Sequence, residues 1–427
     1  MFDRRIKYMI RKIEKLDILI TQASQLVTAA SPIPKVGSAL QDIGLIEDGA
    51  VGVNDGKIVF VGSSNEAERS FTADRILNAS GKVVMPGFID SHTHPIFVKT
   101  RENEFEMRLQ GKSYKAISQT GGGIRASIHD VRNASMDELV ELGLKRINKM
   151  LSMGTTTIEA KSGYGLTTES EIKMLKAIQK INELSAMEII PTFLGAHEYP
   201  DEYKDDHEAY LDILINEMLP AVKEQNLAEY CDIFCEEHVF TVDESRRVLK
   251  KAKELGFKVR FHADELEPIG GAELAAEVNA VSADHLVAIS DKGIQRLKEA
   301  RVIPILLPAT TFSLGLSHYA PARKMIEAGL PITLSTDFNP GSCNCDSQQL
   351  VTSIACLQMK MLPSETINAI TINAAFSLER GDIIGSIEIG KQADIIILDM
   401  PSYQYLPYHL GSSSVETVIK KGIILNN

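Results

Sequence analysis

"PGFIDSHTHP", residues 86–95, places two histidines one residue apart at the end of an apolar run. In an extended strand the side chains at positions i and i+2 point to the same face, so His92 and His94 converge on one point. Two convergent imidazoles favour a metal site when further ligands lie within reach. The stretch therefore predicts a strand whose C-terminal end carries metal ligands.

Downstream of this stretch, short apolar strands alternate with helical segments, which is typical of βα units around a parallel sheet. Helices are predicted between most strands, for example over residues 136–154, 169–185 and 242–256. The pattern predicts an α/β fold, a (β/α)8 barrel, in which active-site residues lie at the C-terminal ends of the strands. The eight strand candidates are residues 87–92, 155–161, 188–194, 231–236, 258–263, 280–285, 302–308 and 331–337.

Both ends of the chain have a different sequence pattern, in which short β-like runs are separated by turn residues. Asn54-Asp55-Gly56, between two alternating runs, is typical of a β-hairpin turn. We therefore predict a small β-sandwich domain assembled from both termini. The predicted division is an N-terminal extension (1–14), the first part of the β-sandwich (15–85), the catalytic barrel (86–380) and the second part of the β-sandwich (381–427).

Composition and charge exclude several classes of protein. A formal net charge of −12 over 427 residues argues against a nucleic-acid surface. No apolar run is long enough for a membrane span, and the basic start lacks the apolar stretch and cleavage site of a signal peptide. Five cysteines without disulfide spacing indicate reduced thiols and a cytoplasmic protein.

Further metal ligands are predicted at the ends of other strands. A lone histidine there is more often structural, but several together at one barrel mouth favour a metal site. The expected ligands of one divalent metal ion, Zn²⁺ or Fe²⁺/Fe³⁺, are His92, His94, His262 and Asp337. Such a site lowers the pKa of water, and Asp337 can accept a proton and pass it to a leaving nitrogen. Glu265 and His285 remain available for acid–base chemistry.

Two other metal arrangements are compatible with single residues of the sequence. Lys161, at the end of the second strand, raises the possibility of a carbamylated lysine bridging two metals. Such a lysine is expected on the fourth strand, where "CDIFCEEH" has none, so one metal is favoured. Cys231 and Cys235 could be soft ligands, but they lie in a predicted buried strand, where cysteine is usually a small hydrophobic residue.

From about residue 15 onward the chain resembles the imidazolonepropionase family of the amidohydrolase superfamily, whose members are metal-dependent hydrolases. The HxH pair alone marks only the superfamily. The more specific motifs are "TRENEFEMRLQGKSY", "GGGI", "EAKSGYGL", "GAH", "FHADELEPIGGAELAAE", "SADHL" and "STDFNPGS". The resemblance implies cleavage of the ring C–N bond of 4-imidazolone-5-propanoate to N-formimidoyl-L-glutamate, and a homodimer.

The resemblance also implies roles for individual residues. It places His285 near the reacting carbonyl, and Arg101 offers a bidentate fork for the propionate tail. Taken alone, Arg101 is equally well explained as a surface charge among acidic neighbours. "GGGI" lacks the preceding strand and the lysine of a phosphate loop, so we expect it to pack near the barrel mouth. The implied substrate contacts are Arg101, Tyr164, His197, Glu265, Asn339, Gly341 and Ser342.

Two other functions stay open at this stage. A ring deaminase or cyclic amidase of the same superfamily would share the metal site but would not need Arg101 and Tyr164 for a carboxylate tail. A barrel that had lost catalysis would be a non-enzymatic scaffold, and it would be free to lose ligands. Every proposed ligand is present, which favours an enzyme.

Overall fold

The computed structural model describes residues 14–112 and 121–425. The predicted N-terminal extension therefore lies outside the described residues, apart from Glu14, as do the last two residues of the "TRENEFEMRLQGKSY" motif. Each of the five cysteines carries a free thiol.

The strands form two groups along the chain. The first five and the last three build one sheet, and the nine in between build another. In chain order they are β1 (Glu14–Val27), β2 (Leu45–Asn54), β3 (Lys57–Ser63), β4 (Phe71–Asn78), β5 (Val83–Pro86), β6 (Phe88–Asp90), β7 (Thr155–Lys161), β8 (Glu188–Ala196), β9 (Tyr230–Cys235), β10 (Lys258–Val259), β11 (His262–Ala263), β12 (Ser282–His285), β13 (Ile303–Leu306), β14 (Thr333–Leu334), β15 (Ile395–Leu398), β16 (Val415–Lys420) and β17 (Ile423–Leu425).

Helices occupy most connections between the barrel strands, and two more lie between strands of the terminal sheet. In chain order the helices of the described residues are α1 (Ser64–Ser70), α2 (Glu102–Leu109), α3 (Ile124–Asn133), α4 (Met136–Ser152), α5 (Thr168–Leu184), α6 (His207–Ile213), α7 (Leu219–Glu224), α8 (Val242–Glu254), α9 (Gly271–Glu277), α10 (Asp291–Ala300), α11 (Pro308–Ser313), α12 (Ala322–Ala328), α13 (Gln348–Met359), α14 (Pro363–Ala369), α15 (Ile372–Ser377) and α16 (Tyr405–Tyr408). Short 3-10 turns lie at Gly37–Gln41 and Asp201–Tyr203, and a π-turn at Leu214–Met218 joins α6 to α7.

Local sequence explains where the long helices begin. The Ser135 hydroxyl accepts the Glu138 amide at the start of α4, and the Thr167 hydroxyl accepts the Ser170 amide at the start of α5. Thr241 and Glu244 form a reciprocal capping box before α8. Each cap satisfies amides that have no partner within the helix. None of the helices among the described residues has the length and apolar character that a bilayer crossing demands.

The terminal sheet joins the two ends of the chain. Its order is β17-β16-β15-β5-β1-β2-β3, with β4 beside β1. β15 pairs antiparallel with β5, so a strand near the C-terminus lies beside one that leads into the barrel. A shared apolar core of Ile18, Val51, Val84 and Ile395 packs on this sheet. The predicted small sheet domain built from both ends is confirmed, while its exact limits stay a prediction.

The middle of the chain forms the parallel barrel. Neighbouring strands run in the order β14-β13-β12-β11-β9-β8-β7-β6, and β10 continues the position of β11 beside β9. A parallel bridge between Thr93 and Phe338 brings the chain after β6 against the chain after β14. The predicted (β/α)8 barrel is therefore confirmed, and the predicted strand at 155–161 matches β7 residue for residue.

The last predicted strand, 331–337, is longer than the observed β14. Beyond Leu334, side chains replace part of the backbone ladder. The Ser335 hydroxyl accepts the Ser91 amide at 2.9 Å, and the Thr336 amide donates to the Asp90 carboxylate at 3.0 Å. The backbone is thereby free to turn at Asp337, which occupies the left-handed region at φ 53°. The early end of the strand positions one of the predicted metal ligands.

Candidate metal centre and active site

The two histidines of "SHTH" lie side by side at the barrel mouth, directly after β6. The Nε2 atoms of His92 and His94 are 3.4 Å apart, and both side chains are buried. The His94 amide donates to the Phe338 carbonyl at 2.8 Å. This backbone bond fixes the segment against the end of the eighth strand, as the strand geometry of the sequence predicts.

His262 and Asp337 complete the cluster. Asp337 Oδ1 lies 3.6 Å from His92 Nε2 and 3.4 Å from His94 Nε2, and donor atoms of His92, His94 and His262 lie within 4.8 Å of one another. A tetrahedral site with metal–donor bonds of about 2.1 Å has donors about 3.4 Å apart. The histidine trio, with Asp337 beside two of its members, offers three nitrogen donors and one oxygen donor, a set that suits a divalent cation. His285 lies within the same 4.8 Å span of His92 and Asp337.

Buried carboxylates orient two of the imidazoles from behind. His92 Nδ1 donates to Asp284 at 2.6 Å, and His262 Nδ1 donates to Asp232 at 3.2 Å. Because Nδ1 carries the proton in each ring, Nε2 keeps its lone pair for a metal. Lys161 in turn lies 2.7 Å from both Glu159 and Asp232, so its charge compensates carboxylates inside the barrel.

We predict that Asp284→Asn lowers metal affinity by about 10-fold to 100-fold, because the variant removes the negative charge behind His92. Competition with a chelator measures this affinity directly. Asp291→Asn is the matched control, since Asp291 is exposed at the start of α10 and pairs with Lys324. Equal metal affinity in the two variants would contradict an orienting role for Asp284.

Burial keeps most of the imidazoles neutral. The pKa values of His92, His94 and His285 are lowered well below the usual value, chiefly by burial and further by neighbouring cations and imidazoles. Burial also lowers the pKa of His197 to about 3. For His262, burial is the largest single effect and lowers the pKa, but the charge of Asp232, its hydrogen bond and the charge of Asp284 together raise the pKa above the usual value. Neutral imidazoles are the form that binds metals.

Two carboxyl groups at the mouth have raised proton affinity. Burial raises the pKa of Asp337 to about 6, while a 2.6 Å bond from the Thr310 hydroxyl to Oδ2 opposes the change. Burial and the nearby Asp337 raise the pKa of Glu265 to about 8. Glu265 Oε1 lies 3.5 Å from His285 Nδ1. These groups can take up and release protons near neutral pH, which suits acid–base chemistry.

The ends of two strands have an uncommon backbone conformation. Asp337 has φ 53° and His285 has φ 72°, both in the left-handed region that residues other than glycine seldom adopt. Such residues cluster at functional sites, where the surrounding structure enforces them. The fold thus fixes the direction of both side chains at the barrel mouth.

Arg101 precedes α2 and is held by a carboxylate. Its Nε and Nη2 donate to Glu104 at 3.0 and 2.9 Å, and Glu104 also accepts the Gly123 amide at 2.8 Å. The "GGGI" loop is thus joined through Glu104 to Arg101. Glu104 occupies the side of the guanidinium, so the end formed by Nη1 and Nη2 is left for a second acidic group.

The "DFNPGS" segment forms a tight turn beside Arg101. Asn339 Oδ1 accepts the amides of Gly341 and Ser342 at 2.8 Å each, and Asn339 Nδ2 donates to the Asp337 carbonyl at 2.7 Å. A Cβ atom on Gly341 would lie 2.4 Å from Arg101 Nη1. Any other residue at position 341 would press against the end of the guanidinium as it is held here.

Tyr164 and His197 lie beside the histidine cluster, next to the ring of His94. The rings of His94 and His197 stack with centroids 5.2 Å apart, and Tyr164 lies 5.4 Å from His197 between ring centroids. His197 Nδ1 donates to the Gly163 carbonyl at 2.9 Å. All of the residues predicted from the sequence therefore lie around one barrel mouth.

Three further residues of the site were not predicted from the sequence. Thr310 holds Asp337, while Asp232 and Asp284 hold histidines. Asp284 immediately precedes His285 in "SADHL". This position next to a predicted site residue was the one sequence feature that could have indicated its role. Asp232 lies inside "CDIFCE", a predicted buried strand, and an acidic residue in the middle of such a strand was the only hint.

Comparisons with known proteins agree with this geometry. The model of the amidohydrolase family matches residues 83–425. An imidazolonepropionase of Alkaliphilus oremlandii is 49% identical over 414 residues, covering 96% of this chain and 98% of the other. An imidazolonepropionase of Bacillus velezensis is 46% identical over 409 residues, covering 96% and 97%. An adenosine deaminase structure from Xanthomonas campestris with bound zinc has a TM-score of 0.71 at 20% identity, covering 96% and 93%, and shares the fold.

Proposed function

Since this chain belongs to the amidohydrolase family and, within it, to the imidazolonepropionases, we propose that it opens the ring of 4-imidazolone-5-propanoate to give N-formimidoyl-L-glutamate. It is a hydrolase that acts on a carbon–nitrogen bond in a ring rather than on a peptide bond. The observation that carries the proposal is the pairing of the histidine–aspartate cluster with the Arg101 fork at one barrel mouth. The histidine–aspartate cluster suits hydrolysis, and the Arg101 guanidinium suits a substrate with a carboxylate tail.

We assign the metal to His92, His94, His262 and Asp337. Three neutral nitrogens and one carboxylate suit a single Zn²⁺ or iron ion. Such a cation supplies Lewis acidity, which lowers the pKa of water toward about 7 and polarises a carbonyl group. The ammonium of Lys161, between Glu159 and Asp232, supports the choice of one metal over two, because it already compensates the neighbouring carboxylates.

The protein's own groups move the protons. Hydrolysis delivers oxygen to the ring carbonyl carbon and a proton to the departing ring nitrogen, which breaks the C–N bond between them. Asp337 lies against the histidine cluster and has a raised pKa, so it can accept a proton from water and pass it to that nitrogen. Glu265 and His285, 3.5 Å apart, are the additional acid–base pair beside the reacting carbonyl.

The remaining residues hold the substrate. The free end of the Arg101 guanidinium binds the propionate, and the turn at Asn339, Gly341 and Ser342 forms the adjoining wall. Tyr164 and His197 contact the ring from the other side. A ring buried among these groups excludes bulk water and keeps its carbonyl near the histidine cluster. Cytoplasmic location and a homodimeric assembly remain predictions from the sequence.

The test is turnover of freshly prepared 4-imidazolone-5-propanoate by metal-loaded protein, followed by loss of ring absorbance and formation of N-formimidoyl-L-glutamate. The double variant Arg101→Met/Glu104→Gln removes the fork together with its buried partner. We expect kcat/KM to fall by roughly a hundredfold or more, chiefly through KM, because a charge-assisted pair of bonds is lost.

Arg108→Met is the matched control, since Arg108 lies on α2 near Arg101 and makes a weaker 3.4 Å contact with the Gly341 carbonyl. If the protein binds metal but leaves the ring intact, the substrate assignment is wrong. If the ring opens and the two arginine variants behave alike, the hydrolase assignment stands and Arg101 is not the anchor.

A further inference from the structure

A buried carboxylate lies beneath the loop that carries Tyr164. Glu171, in the first turns of α5, has no exposed surface. Its Oε1 accepts the amides of Gly165 at 2.8 Å and Leu166 at 2.9 Å, and its Oε2 accepts the Gly163 amide at 3.0 Å. Three backbone amides of the loop, one before Tyr164 and two after it, thus donate to one side chain.

The carbonyl groups of the same loop also have partners. Arg132 Nε donates to the Gly165 carbonyl at 2.7 Å, and Arg132 Nη2 donates to the Leu166 carbonyl at 3.3 Å. The Gly163 carbonyl accepts Nδ1 of His197. The loop is therefore held by a carboxylate through its amides and by a guanidinium and an imidazole through its carbonyls.

The backbone of the loop depends on these partners. Gly163 has φ 106° and Leu166 has φ 52°, and the latter is uncommon for a residue with a side chain. A Cβ on Gly165 would lie 2.6 Å from the backbone carbon of Ser170, so the loop packs tightly on the start of α5. A conformation of this kind persists where surrounding contacts enforce it.

We propose that Glu171 is a positioning residue of the substrate site, which holds the loop Gly163–Leu166 so that Tyr164 and His197 face the bound ring. Tyr164 is carried between two of the amides that Glu171 binds. His197 donates its Nδ1 proton to the Gly163 carbonyl. The Nε2 atom of the same imidazole therefore carries a lone pair and can accept a hydrogen bond from the substrate. Glu171 itself touches neither the metal ligands nor the substrate, and its role rests on the function proposed above.

The first measurement is hydrogen exchange of the loop amides in metal-loaded Glu171→Gln. Glutamine keeps the size of the side chain but offers one acceptor in place of two. We expect the amides of Gly163, Gly165 and Leu166 to exchange at least about tenfold faster than in the wild type. Glu169→Gln is the matched control, because Glu169 is exposed on the first turn of the same helix and carries the same charge.

The second measurement separates positioning from general stability. We expect Glu171→Gln to raise KM for the imidazolone about tenfold or more, with kcat within roughly threefold of the wild type and metal content unchanged. Arg132→Gln loosens the loop from the carbonyl side and should raise KM in the same direction, even if Glu171→Gln fails to fold. Arg125→Gln, on the exposed face of α3, is its control.

The outcomes are distinguishable from failure of the proposed function. If the wild type opens the ring and Glu171→Gln matches Glu169→Gln in KM and in amide exchange, the positioning role is wrong. It is also wrong if kcat falls together with metal content while KM stays constant. If the wild type leaves the ring intact, the proposed function fails and the positioning role falls with it, whereas the exchange rates still show whether Glu171 holds the loop.

Discussion

Asp337→Asn is expected to lower kcat by about a thousandfold, with a much smaller change in KM. The amide keeps the shape of the side chain and its oxygen can still accept a bond from Thr310, but it cannot take up a proton. Proton transfer by a positioned side chain contributes about 10²-fold to 10⁴-fold to rate. Steady-state kinetics at saturating substrate, with the metal content of each preparation determined, measures the effect.

Asp346→Asn is the control for this variant. Asp346 lies nine residues further along the chain, and its carboxylate pairs with Lys149 on the barrel surface. Its activity should match that of the wild type. An Asp337→Asn protein that retains both metal and most of its kcat would assign the proton transfer to Glu265 or His285 instead.

His262→Ala is expected to abolish metal binding and turnover together. The variant removes one of the four proposed ligands and leaves the Asp232 carboxylate without its imidazole partner. The three remaining ligands bind the metal more weakly than the full set of four. Elemental analysis after dialysis and the ring-opening assay, performed on the same sample, measure both effects.

His238→Ala is the matched histidine control, since His238 is exposed in the loop after β9. It should keep full metal content and activity. A His262→Ala protein that binds a full equivalent of metal would show that another set holds the ion, with His285 as the available replacement beside His92 and Asp337.

The architecture was largely predictable because its signals are local. Apolar runs of strand length alternate with amphipathic helices, and each polar residue at the end of such a run points to the same barrel mouth. The hairpin turn at Asn54-Asp55-Gly56 was equally clear, since β2 and β3 pair antiparallel across it. The split of the fifth strand into β10 and β11 was not predicted, because "KVRFHA" alternates polar and apolar residues without a break.

What the sequence could not give are partners brought together by the fold. Glu104 bonds Arg101 nearby in sequence, but its bond to Gly123 requires the loop to return to α2. Asp284 meets His92 across 192 residues. An acidic residue in an apolar run or a helix has no distinctive local pattern, so its partner becomes visible only when the strands are arranged in space.

The seam between β6 and β14 gives the metal centre a second role. Ser91 and Ser335 are 244 residues apart in the chain, yet their side chains lie 2.9 Å from each other. His92 directly follows Ser91, and Asp337 lies two residues after Ser335. A cation held by His92 and Asp337, as proposed above, would link the first and last strands of the barrel. Binding of the cation would then require the eighth strand to lie beside the first, and it would stabilise that pairing by a free energy that grows with the logarithm of the free metal concentration.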